Sequence, residues 1–322
     1  MSRLSDKDRR IALLVILNVV LAATLGTVIG MYVKSGGLDD TRDAVTLDQV
    51  SAQIGALADS IDARVGVAVI FEDGDTLSYA GGDRFPMLSV FKFHQALAVC
   101  DCLRSSGRSL TDKVNLSRND LAENTWSPLR DEYPEGGSFS FAELLDRTLR
   151  QSDNNVSDFF FKTLCDIDST DNYIRSEGIG DFAISCDERM MHEDPSRCYD
   201  NWTTPVSAAV LLDRFYKVRD LDEYNAFIWQ TMAMCDTGRA RIPKYISGNA
   251  IQIAHKTGTG DVDAGGRIMA VNDIGVVALP DGRHYSIAVF VTDAGCDMAE
   301  CEEFIAKVSQ SVYRYASSHG AL

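Results

Sequence analysis

Basic residues are scarce in this sequence, and the shortage argues against one large class of partner. The chain of 322 residues has 31 lysines and arginines against 47 aspartates and glutamates, a formal net charge of −16. Proteins that bind nucleic-acid backbones need clustered positive charge to displace counterions from the phosphates. The acidic balance therefore disfavours DNA or RNA as a partner, and gives no attraction to anionic lipid.

Sequence patterns of several common catalytic and metal sites are missing as well. No G-x-S-x-G stretch supports an α/β-hydrolase, and no C-x-x-C or H-E-x-x-H spacing supports a zinc site. Gly258-Thr259-Gly260 is followed by Asp263 where a dinucleotide fingerprint needs its third glycine. We expect no metal and no cofactor, and take the histidines as isolated residues: His94, His192, His255, His284 and His319.

Charged side chains are absent from one long segment near the N-terminus. Residues 11–33 form an uncharged run of 23 residues, which as a helix of about 35 Å is long enough to cross a bilayer. Basic residues precede the run and acidic residues follow it, so the positive-inside rule places everything after Lys34 outside the cytoplasmic membrane. We expect a single transmembrane anchor, with a signal peptide cut near Ala22 or Ala23 as the alternative. Both predict an exported protein, periplasmic or extracellular.

The eight cysteines fit an exported protein, because disulfides persist in oxidising compartments. Eight cysteines allow 105 pairings, and the sequence cannot choose among them. Buried free thiols are the alternative for several of them.

The two ends of the remaining chain carry matching helix and strand patterns. Thr46 and Gln49 form a capping box ahead of a helical pattern, and residues 65–79 alternate as a hairpin. Residues 274–291 form a second predicted hairpin, and an amphipathic helix follows through residues 304–312. These patterns predict an α+β fold, with one antiparallel sheet and flanking helices from both chain ends.

The middle of the chain is predicted to be an all-helical domain. Ser140 and Glu143 form a capping box, and Thr204-Pro205 places proline at the first position of another helix. We therefore expect this division: a membrane anchor or signal segment at 1–34, a linker at 35–45, and a catalytic domain at 46–322, with an α/β part at 46–85 and 235–322 and a helical part at 86–234.

A serine and a lysine stand three residues apart in the otherwise apolar run FPMLSVFKFHQALAVC. Positions three apart lie on the same face of a helix, so Ser89 and Lys92 would share one surface. A packing helix does not need this polar pair, whereas a serine nucleophile needs a nearby base. A helix cap next to a surface lysine is the alternative while this S-x-x-K is taken alone.

Two further triplets follow it in order. They are Ser152-Asp153-Asn154 in LRQSDNNVSD and Lys256-Thr257-Gly258 in IAHKTGTGD, and each is rare by chance at average composition. Together, S-x-x-K, S-D-N and K-T-G resemble the motif set of class A serine β-lactamases and penicillin-binding proteins. The resemblance runs from about Thr46 to the C-terminus and implies the fold of that superfamily.

The resemblance implies a role for each matching residue. Ser89 would be the nucleophile, Lys92 its base, and Ser152 the donor of a proton to the leaving nitrogen. The backbone N–H groups of Ser89 and Thr259 would form the oxyanion hole. The substrate-binding set implied by the same resemblance is Asn154 for the amide side chain, Lys256, Thr257 and Thr259 for the carboxylate, Arg241 in support of them, and Trp126 at the mouth. Arg241 and Trp126 are otherwise an ordinary surface arginine and loop aromatic.

One loop departs from the usual class A wording. In place of R-x-E-P-x-L-N the chain has SCDERMMHEDPSRCYDNWTTP, which resembles an extended-spectrum subgroup with E-x-x-M-H. The resemblance implies that Glu188 activates the deacylating water and that His192 holds that water, with Glu193 as the rival base. Cys186 and Cys198 flank this segment; as a disulfide they would stabilise it by about 3 kcal/mol, and otherwise they are ordinary thiols.

These features predict a monomeric serine β-lactamase that hydrolyses small-molecule β-lactams through a Ser89 acyl-enzyme. The alternative is a membrane-anchored penicillin-binding D,D-peptidase or β-lactam sensor, which would be acylated without turning over. A non-catalytic binding module is disfavoured, because such a module has no physical need for Ser89, Lys92, Ser152 and Lys256 together.

Overall fold

A computed structural model describes residues 45–319 of the chain. Its helices are α1 (Leu47–Asp59), α2 (Phe91–Ser105), α3 (Pro128–Glu132), α4 (Phe141–Arg150), α5 (Asn154–Thr163), α6 (Ile167–Ser176), α7 (Glu188–Glu193), α8 (Pro205–Val218), α9 (Glu223–Ala233) and α10 (Met298–Ser318). Its strands are β1 (Arg64–Phe71), β2 (Thr76–Tyr79), β3 (Phe85–Pro86), β4 (Lys113–Ser117), β5 (Gly136–Ser140), β6 (Phe182–Ala183), β7 (Trp202–Thr203), β8 (Gln252–Thr259), β9 (Ile268–Ala278) and β10 (His284–Ala294).

Strands from both ends of the described chain build one antiparallel sheet, in the order β2-β1-β10-β9-β8. The first and last strands along the chain are neighbours, since Arg64 lies opposite Thr292 and Phe71 opposite Tyr285. The predicted antiparallel sheet is therefore confirmed. Strand β9 begins earlier than its predicted start, because its first residues pair with β8.

Helices cover both faces of this sheet, so alternate residues of each strand enter different cores. Val67 and Val69 of β1 pack in the core that includes α1 and α10. Ala68, between them, belongs to the core formed with the helices of the middle segment. Burial on both faces explains why the sequences of β9 and β10 are apolar almost throughout.

Side-chain caps begin the helices where the sequence predicted them. Thr46 and Gln49 form the capping box of α1, and Ser140 and Glu143 form that of α4. Thr204 caps α8, with proline at its first position. These local signals are confirmed.

The middle segment contains short strands in addition to helices, so the prediction that it is all-helical is wrong. Strands β4 and β5 form a hairpin, and β3, β7 and β6 form a small three-stranded sheet. The two-residue strands β3, β6 and β7 are too short to show an alternating pattern in sequence. Strand β4 buries only Leu116 fully and therefore gives no recognisable apolar face.

The predicted N-terminal anchor lies outside the described residues, as does nearly all of the predicted linker. Among the helices within residues 45–319, none has the length and apolar character needed to cross a membrane.

Candidate active site

Ser89 lies in a tight turn immediately before α2. Leu88, which precedes it, has a φ of 46°, a left-handed conformation that is strained for a branched side chain. The side chain of Asn272 on β9 holds this turn from below, donating to the carbonyl oxygens of Pro86 at 2.8 Å and Met87 at 3.3 Å. The turn thus presents Ser89 at the edge of the core.

The Lys92 ammonium group lies at the centre of a cluster of acceptors. Its Nζ is 3.0 Å from Ser89 Oγ and 2.8 Å from Glu188 Oε1. It also donates to the Ser152 carbonyl oxygen at 2.9 Å and to Asn154 Oδ1 at 2.5 Å. Lys92 is fully buried, so these protein acceptors replace the water that normally solvates a lysine.

The S-D-N segment enters the site between α4 and α5 through an unusual backbone conformation. Ser152 has a φ of 61°, and its Oγ lies 3.0 Å from Lys256 Nζ and 3.5 Å from Lys92 Nζ. The buried Asp153 carboxylate anchors the segment by accepting the Ser127 hydroxyl at 3.0 Å. The Ser152 hydroxyl therefore connects the two lysines.

Strand β8 passes the nucleophile turn at very short range. A Cβ atom at Gly258 would come within 2.4 Å of the Met87 carbonyl oxygen, a distance that no side chain tolerates. The glycine of K-T-G is therefore required by close packing, independently of any contact with substrate. This approach places Lys256, Thr257 and Thr259 beside Ser89.

Lys256 is buried, and no carboxylate within residues 45–319 pairs with it. Burial and the positive charge of Lys92 lower the pKa of Lys256 to about 7. Its Nζ donates to Ser152 Oγ at 3.0 Å and to the Thr257 carbonyl oxygen at 2.9 Å. A lysine in this state is well suited to bind an incoming anion, because the anion would restore the lost stabilisation of its charge.

Arg241 is buried beside Thr259 and supports this threonine from the protein interior. Its guanidinium donates to Thr259 Oγ1 at 2.8 Å and to the carbonyl oxygens of Gly258 and Asn272. Its Nε contacts Glu302 Oε1 at 3.1 Å. The guanidinium thus orients the Thr259 hydroxyl and adds positive charge beneath it.

Helix α7 carries Glu188 into the site from the opposite side. Asp158, on α5, accepts the backbone N–H groups of Glu188 at 2.8 Å and Arg189 at 2.9 Å. Burial and the negative charges of Glu188 and Asp187 raise the pKa of Asp158 to about 7. Glu188 Oε1 lies 3.5 Å from Ser89 Oγ.

Glu193, the rival carboxylate, points away from this cluster. Its carboxylate is exposed and pairs with Arg189 at 2.9 Å on the outer side of the helix. His192, one helical turn after Glu188, is also exposed, but it lines the same cavity as Glu188. The geometry therefore brings Glu188 to Ser89, places His192 in the wall of the same cavity and leaves Glu193 out.

The loop that carries α7 is closed by a buried amide and not by a disulfide. Asn201 accepts the backbone N–H groups of Ser185 at 2.7 Å and Cys186 at 3.0 Å, and donates to the Cys186 carbonyl oxygen at 2.8 Å. The eight cysteines all lie within the described residues and are free thiols. The sequence left open whether Cys186 and Cys198 form a disulfide or are ordinary thiols, and in the structure they are ordinary thiols.

Several of these groups line one cavity of about 670 Å³, whereas Lys92 and Lys256 are fully buried and are not among its lining residues. Its walls include Ser89, Ser152, Asn154, Glu188 and Thr259. Trp126 stands at the mouth with 61% of its surface exposed, and its Nε1 donates to the Gln151 carbonyl oxygen at 2.8 Å. The volume is that of a pocket for a small molecule.

Comparisons with known proteins agree with this geometry. The β-lactamase enzyme family matches residues 49–316. A β-lactamase of Phocaeicola vulgatus is 34% identical over 96% of this chain and 97% of its own length. The crystal structure of the TLA-3 extended-spectrum β-lactamase has a TM-score of 0.81 and 36% identity, over 84% of this chain and 99% of that one. A class A β-lactamase structure from Bacteroides cellulosilyticus has a TM-score of 0.79 and 34% identity, over 84% and 98% of the two chains.

The chain belongs to the class A β-lactamase family. It is a serine β-lactamase, and the resemblance drawn from its motifs is confirmed.

Several residues that build this β-lactamase site were not singled out by sequence reasoning. Asp158 and Asn201 hold the loop of Glu188, Asn272 holds the turn of Ser89, and Thr237 Oγ1 lies 2.6 Å from Thr257 Oγ1. Asp158 follows the S-D-N triplet within one helical turn, which is the one local signal that could have identified it. Asn201 begins the N-W-T stretch at the end of the Glu188 loop and Thr237 begins the T-G-x-x-R stretch of Arg241, whereas Asn272 is recognisable only from its contacts with a distant segment.

Proposed function

We propose that Ser89 is the nucleophile of this β-lactamase, that Lys92 is its base, and that Glu188 activates the water that releases the product. One observation carries the proposal. Ser89 Oγ lies 3.0 Å from Lys92 Nζ and 3.5 Å from Glu188 Oε1, and these two groups are 2.8 Å apart, so Glu188 can take a proton from the Lys92 ammonium group and leave a neutral amine that accepts the proton of Ser89. A serine with a single base could be acylated, whereas a second base gives the acyl-enzyme a route to hydrolysis.

In the acylation step, Ser89 Oγ attacks the lactam carbonyl carbon and the carbon–nitrogen bond of the ring breaks. Lys92 takes the proton of Ser89, and the Ser152 hydroxyl gives a proton to the departing nitrogen. The position of Ser152 Oγ between Lys92 and Lys256 supports this relay, because both lysines can replace the proton it gives away.

Charge on the substrate is matched by the β8 side of the cavity. Lys256, Thr257 and Thr259 would bind the carboxylate, with Arg241 orienting the Thr259 hydroxyl from behind. The backbone N–H groups of Ser89 and Thr259 would stabilise the oxyanion, at about 3–4 kcal/mol per donor in serine hydrolases. Asn154 and Trp126, across the cavity, would contact the amide side chain.

In the deacylation step, Glu188 takes a proton from a water molecule as the water attacks the acyl carbon. The bond between that carbon and Ser89 Oγ then breaks, and Ser89 Oγ regains its proton from Lys92, 3.0 Å away. His192 would hold that water from the next turn of α7. Two features support this role for Glu188: its carboxylate is mostly buried beside Ser89, and Asp158 fixes the backbone that carries it.

Substitution of Glu188 tests the proposal, and Glu193 provides a matched control on the same short helix. In Glu188→Gln we expect kcat for a chromogenic cephalosporin to fall at least 10³-fold while an acyl adduct accumulates on Ser89, because deacylation loses its base. Intact-mass spectrometry after mixing measures the adduct. Glu193→Gln should hydrolyse the substrate like the unmodified protein. Undiminished turnover in Glu188→Gln contradicts the proposal.

A penicillin-binding peptidase or sensor is the second candidate, favoured only by the predicted anchor. Such a protein would keep a stable adduct on Ser89 even with Glu188 intact. The carboxylate 3.5 Å from the nucleophile favours hydrolysis instead. A long-lived adduct in the unmodified protein would decide for the second candidate.

We also propose that the enzyme works as an exported monomer held at the membrane by residues 11–33. The uncharged run of 23 residues, with basic residues before it, supports export. The mass of the mature chain separates an anchor, which keeps residues 1–34, from a signal peptide, which is removed.

A further inference from the structure

A cysteine, a histidine and an aspartate lie together just outside the β-lactam cavity. His255, on β8, has its Nδ1 at 2.9 and 3.1 Å from the two oxygens of Asp273 on β9. The thiol of Cys235, in the connection between α9 and β8, is a hydrogen-bonding neighbour of the same imidazole. This order of thiol, imidazole and carboxylate is the one in which an imidazole activates a sulfur nucleophile.

The charges around this cluster favour the ionised thiol. Burial alone would raise the pKa of Cys235, but the hydrogen bond and charge of His255 and the charge of Lys256 lower it to about 7. Burial disfavours the protonated form of His255, but the interactions with Asp273 and Cys235 outweigh this effect and raise the pKa of His255 to about 10. The thiol also lies 3.9 Å from the carbonyl oxygen of Arg150 and 3.6 Å from that of Thr237.

Cys235 differs from the other cysteines of the chain. Burial raises the thiol pKa of five of them, which lie fully inside the protein: Cys100, Cys165, Cys186, Cys198 and Cys301. Cys102, Cys235 and Cys296 keep partial exposure. Among the described residues, Cys235 has an imidazole as a neighbour, whereas Cys102 and Cys296 contact other thiols, those of Cys165 and Cys301. Reactivity should therefore concentrate at one sulfur atom.

The thiol lies one side chain away from the proposed carboxylate pocket. Cys235 Sγ is 3.3 Å from Thr237 Oγ1, which is itself 2.6 Å from Thr257 Oγ1. Thr237 and Thr257 both line the cavity. A group attached to Cys235 would displace Thr237 and enter the space beside Thr257.

We propose that Cys235 is a second nucleophilic site, selective for small electrophiles and small disulfides, and that its modification blocks the neighbouring β-lactam site. With a disulfide R–S–S–R, the Cys235 thiolate attacks one sulfur, a new S–S bond forms, and R–S⁻ leaves and takes a proton from water. With iodoacetamide, an S–C bond forms and iodide leaves. The blocking half of the inference rests on the proposed function, whereas the nucleophilic half does not.

Alkylation of the full-length protein tests both halves. We expect iodoacetamide at pH 6.5 to modify Cys235 at least tenfold faster than Cys102 or Cys296, as measured by peptide mapping over time. The rate of Cys235 modification should rise with pH as its thiol ionises near pH 7. An ordinary thiol is still mostly protonated at that pH. Hydrolysis of a carboxylate-bearing cephalosporin should be lost in step with the modification of Cys235.

Matched variants separate the possible causes of that loss. Cys235→Ser should keep its hydrolysis after iodoacetamide treatment, whereas Cys296→Ser should be inactivated like the unmodified protein. His255→Asn should slow modification of Cys235 to the rate of an ordinary thiol; should that variant fail to fold, the pH dependence in the unmodified protein answers the same question.

Two results would overturn the inference. Modification of Cys102 or Cys296 before Cys235, or of Cys235 only in denaturant, would show that the cluster does not activate an accessible thiol. Full hydrolysis by protein modified at Cys235 would overturn the blocking half alone. Failure of the untreated protein to hydrolyse β-lactams would instead count against the proposed function. The alkylation rates would still decide whether Cys235 is a nucleophilic site.

Discussion

Lysine is almost never fully buried in folded proteins, yet Lys92 and Lys256 both are. Each buried ammonium group costs several kcal/mol unless protein groups replace its water. Lys92 has four such groups within hydrogen-bonding distance, including the Glu188 carboxylate. Lys256 has only neutral oxygens, and this difference makes Lys256 the group that most needs an anion from outside.

The charge of Lys256 should be visible in the pH dependence of the reaction. Below about pH 7 this lysine is a cation and above it is increasingly neutral, so kcat/KM for a carboxylate-bearing β-lactam should fall as the pH rises through about 7. Lys92 lowers the pKa of Lys256, and Cys235, Glu188 and Asp273 oppose that effect. Rate measurements from pH 5.5 to 9 give the profile.

Lys256→Arg is the control for this pH profile, since arginine keeps its charge over the whole range. Whatever its absolute rate, we expect the decline near pH 7 to disappear in this variant. The same decline in Lys256→Arg as in the unmodified protein would assign the titration to another group.

The helix α7 is too short to be stable by itself, having six residues. Its position depends on side chains from other elements. Asp158 of α5 accepts two of its N–H groups, and Asn201 fastens the chain just before it. A disulfide is not needed for this role, because two buried polar side chains close the loop from within.

Removal of the Asp158 carboxylate should loosen this element. In Asp158→Ala the N–H groups of Glu188 and Arg189 lose their acceptor, which we expect to cost about 1–3 kcal/mol and to lower kcat as deacylation slows. Limited proteolysis of the loop and burst kinetics with a cephalosporin measure the two effects.

Asp158→Asn is the matched control, because its amide oxygen still accepts a hydrogen bond and its volume is unchanged. We expect a smaller effect on both measurements than with alanine. If Asp158→Ala keeps both its resistance to protease and its kcat, the carboxylate does not position the loop.

The described part of the chain has two apolar cores, one on each face of the sheet, and one of them contains an unusual polar residue. His94 on α2 is fully buried, and neither of its ring nitrogens has a hydrogen-bond partner among the described residues. Its ring instead lies 6.0 Å from those of Phe93 and Phe182. Burial lowers the pKa of His94 to about 4.

His94 should make the stability of the fold sensitive to acid. The unfolded chain binds a proton at His94 near pH 6.5 and the folded chain only near pH 4, so stability is present above 6.5 and is lost as the pH falls. We expect a loss on the order of 2–3 kcal/mol between pH 7 and 4.5. Urea unfolding at both pH values, compared with His94→Leu, isolates this contribution from that of the carboxylates.

The comparison concerns how steeply the free energy of unfolding changes with pH in each protein, and not the absolute stability of the variant. His94→Leu should lose less free energy of unfolding than the unmodified protein over the same pH range. Equal losses in the two proteins would show that His94 is not the acid-sensitive group.

Linear patterns were enough for the parts of this protein that depend on neighbours in sequence. The capping boxes of α1 and α4, the strands of the sheet and the S-x-x-K, S-D-N and K-T-G motifs are all local, because caps, alternation and short spacings act over a few residues. These signals predicted the antiparallel sheet and the family. They could not show the strands β3, β6 and β7, which have two residues each.

Folding decided what depends on distance between remote segments and on the removal of water. That Glu188 and not Glu193 lies beside Ser89 follows from the face that α7 turns towards the serine, and Cys186 and Cys198 are free thiols. No sequence pattern predicts that Cys235 and His255 lie next to each other in the fold. A sequence records which groups exist, whereas their pKa values and reactivity are set by burial and by charges brought close in space.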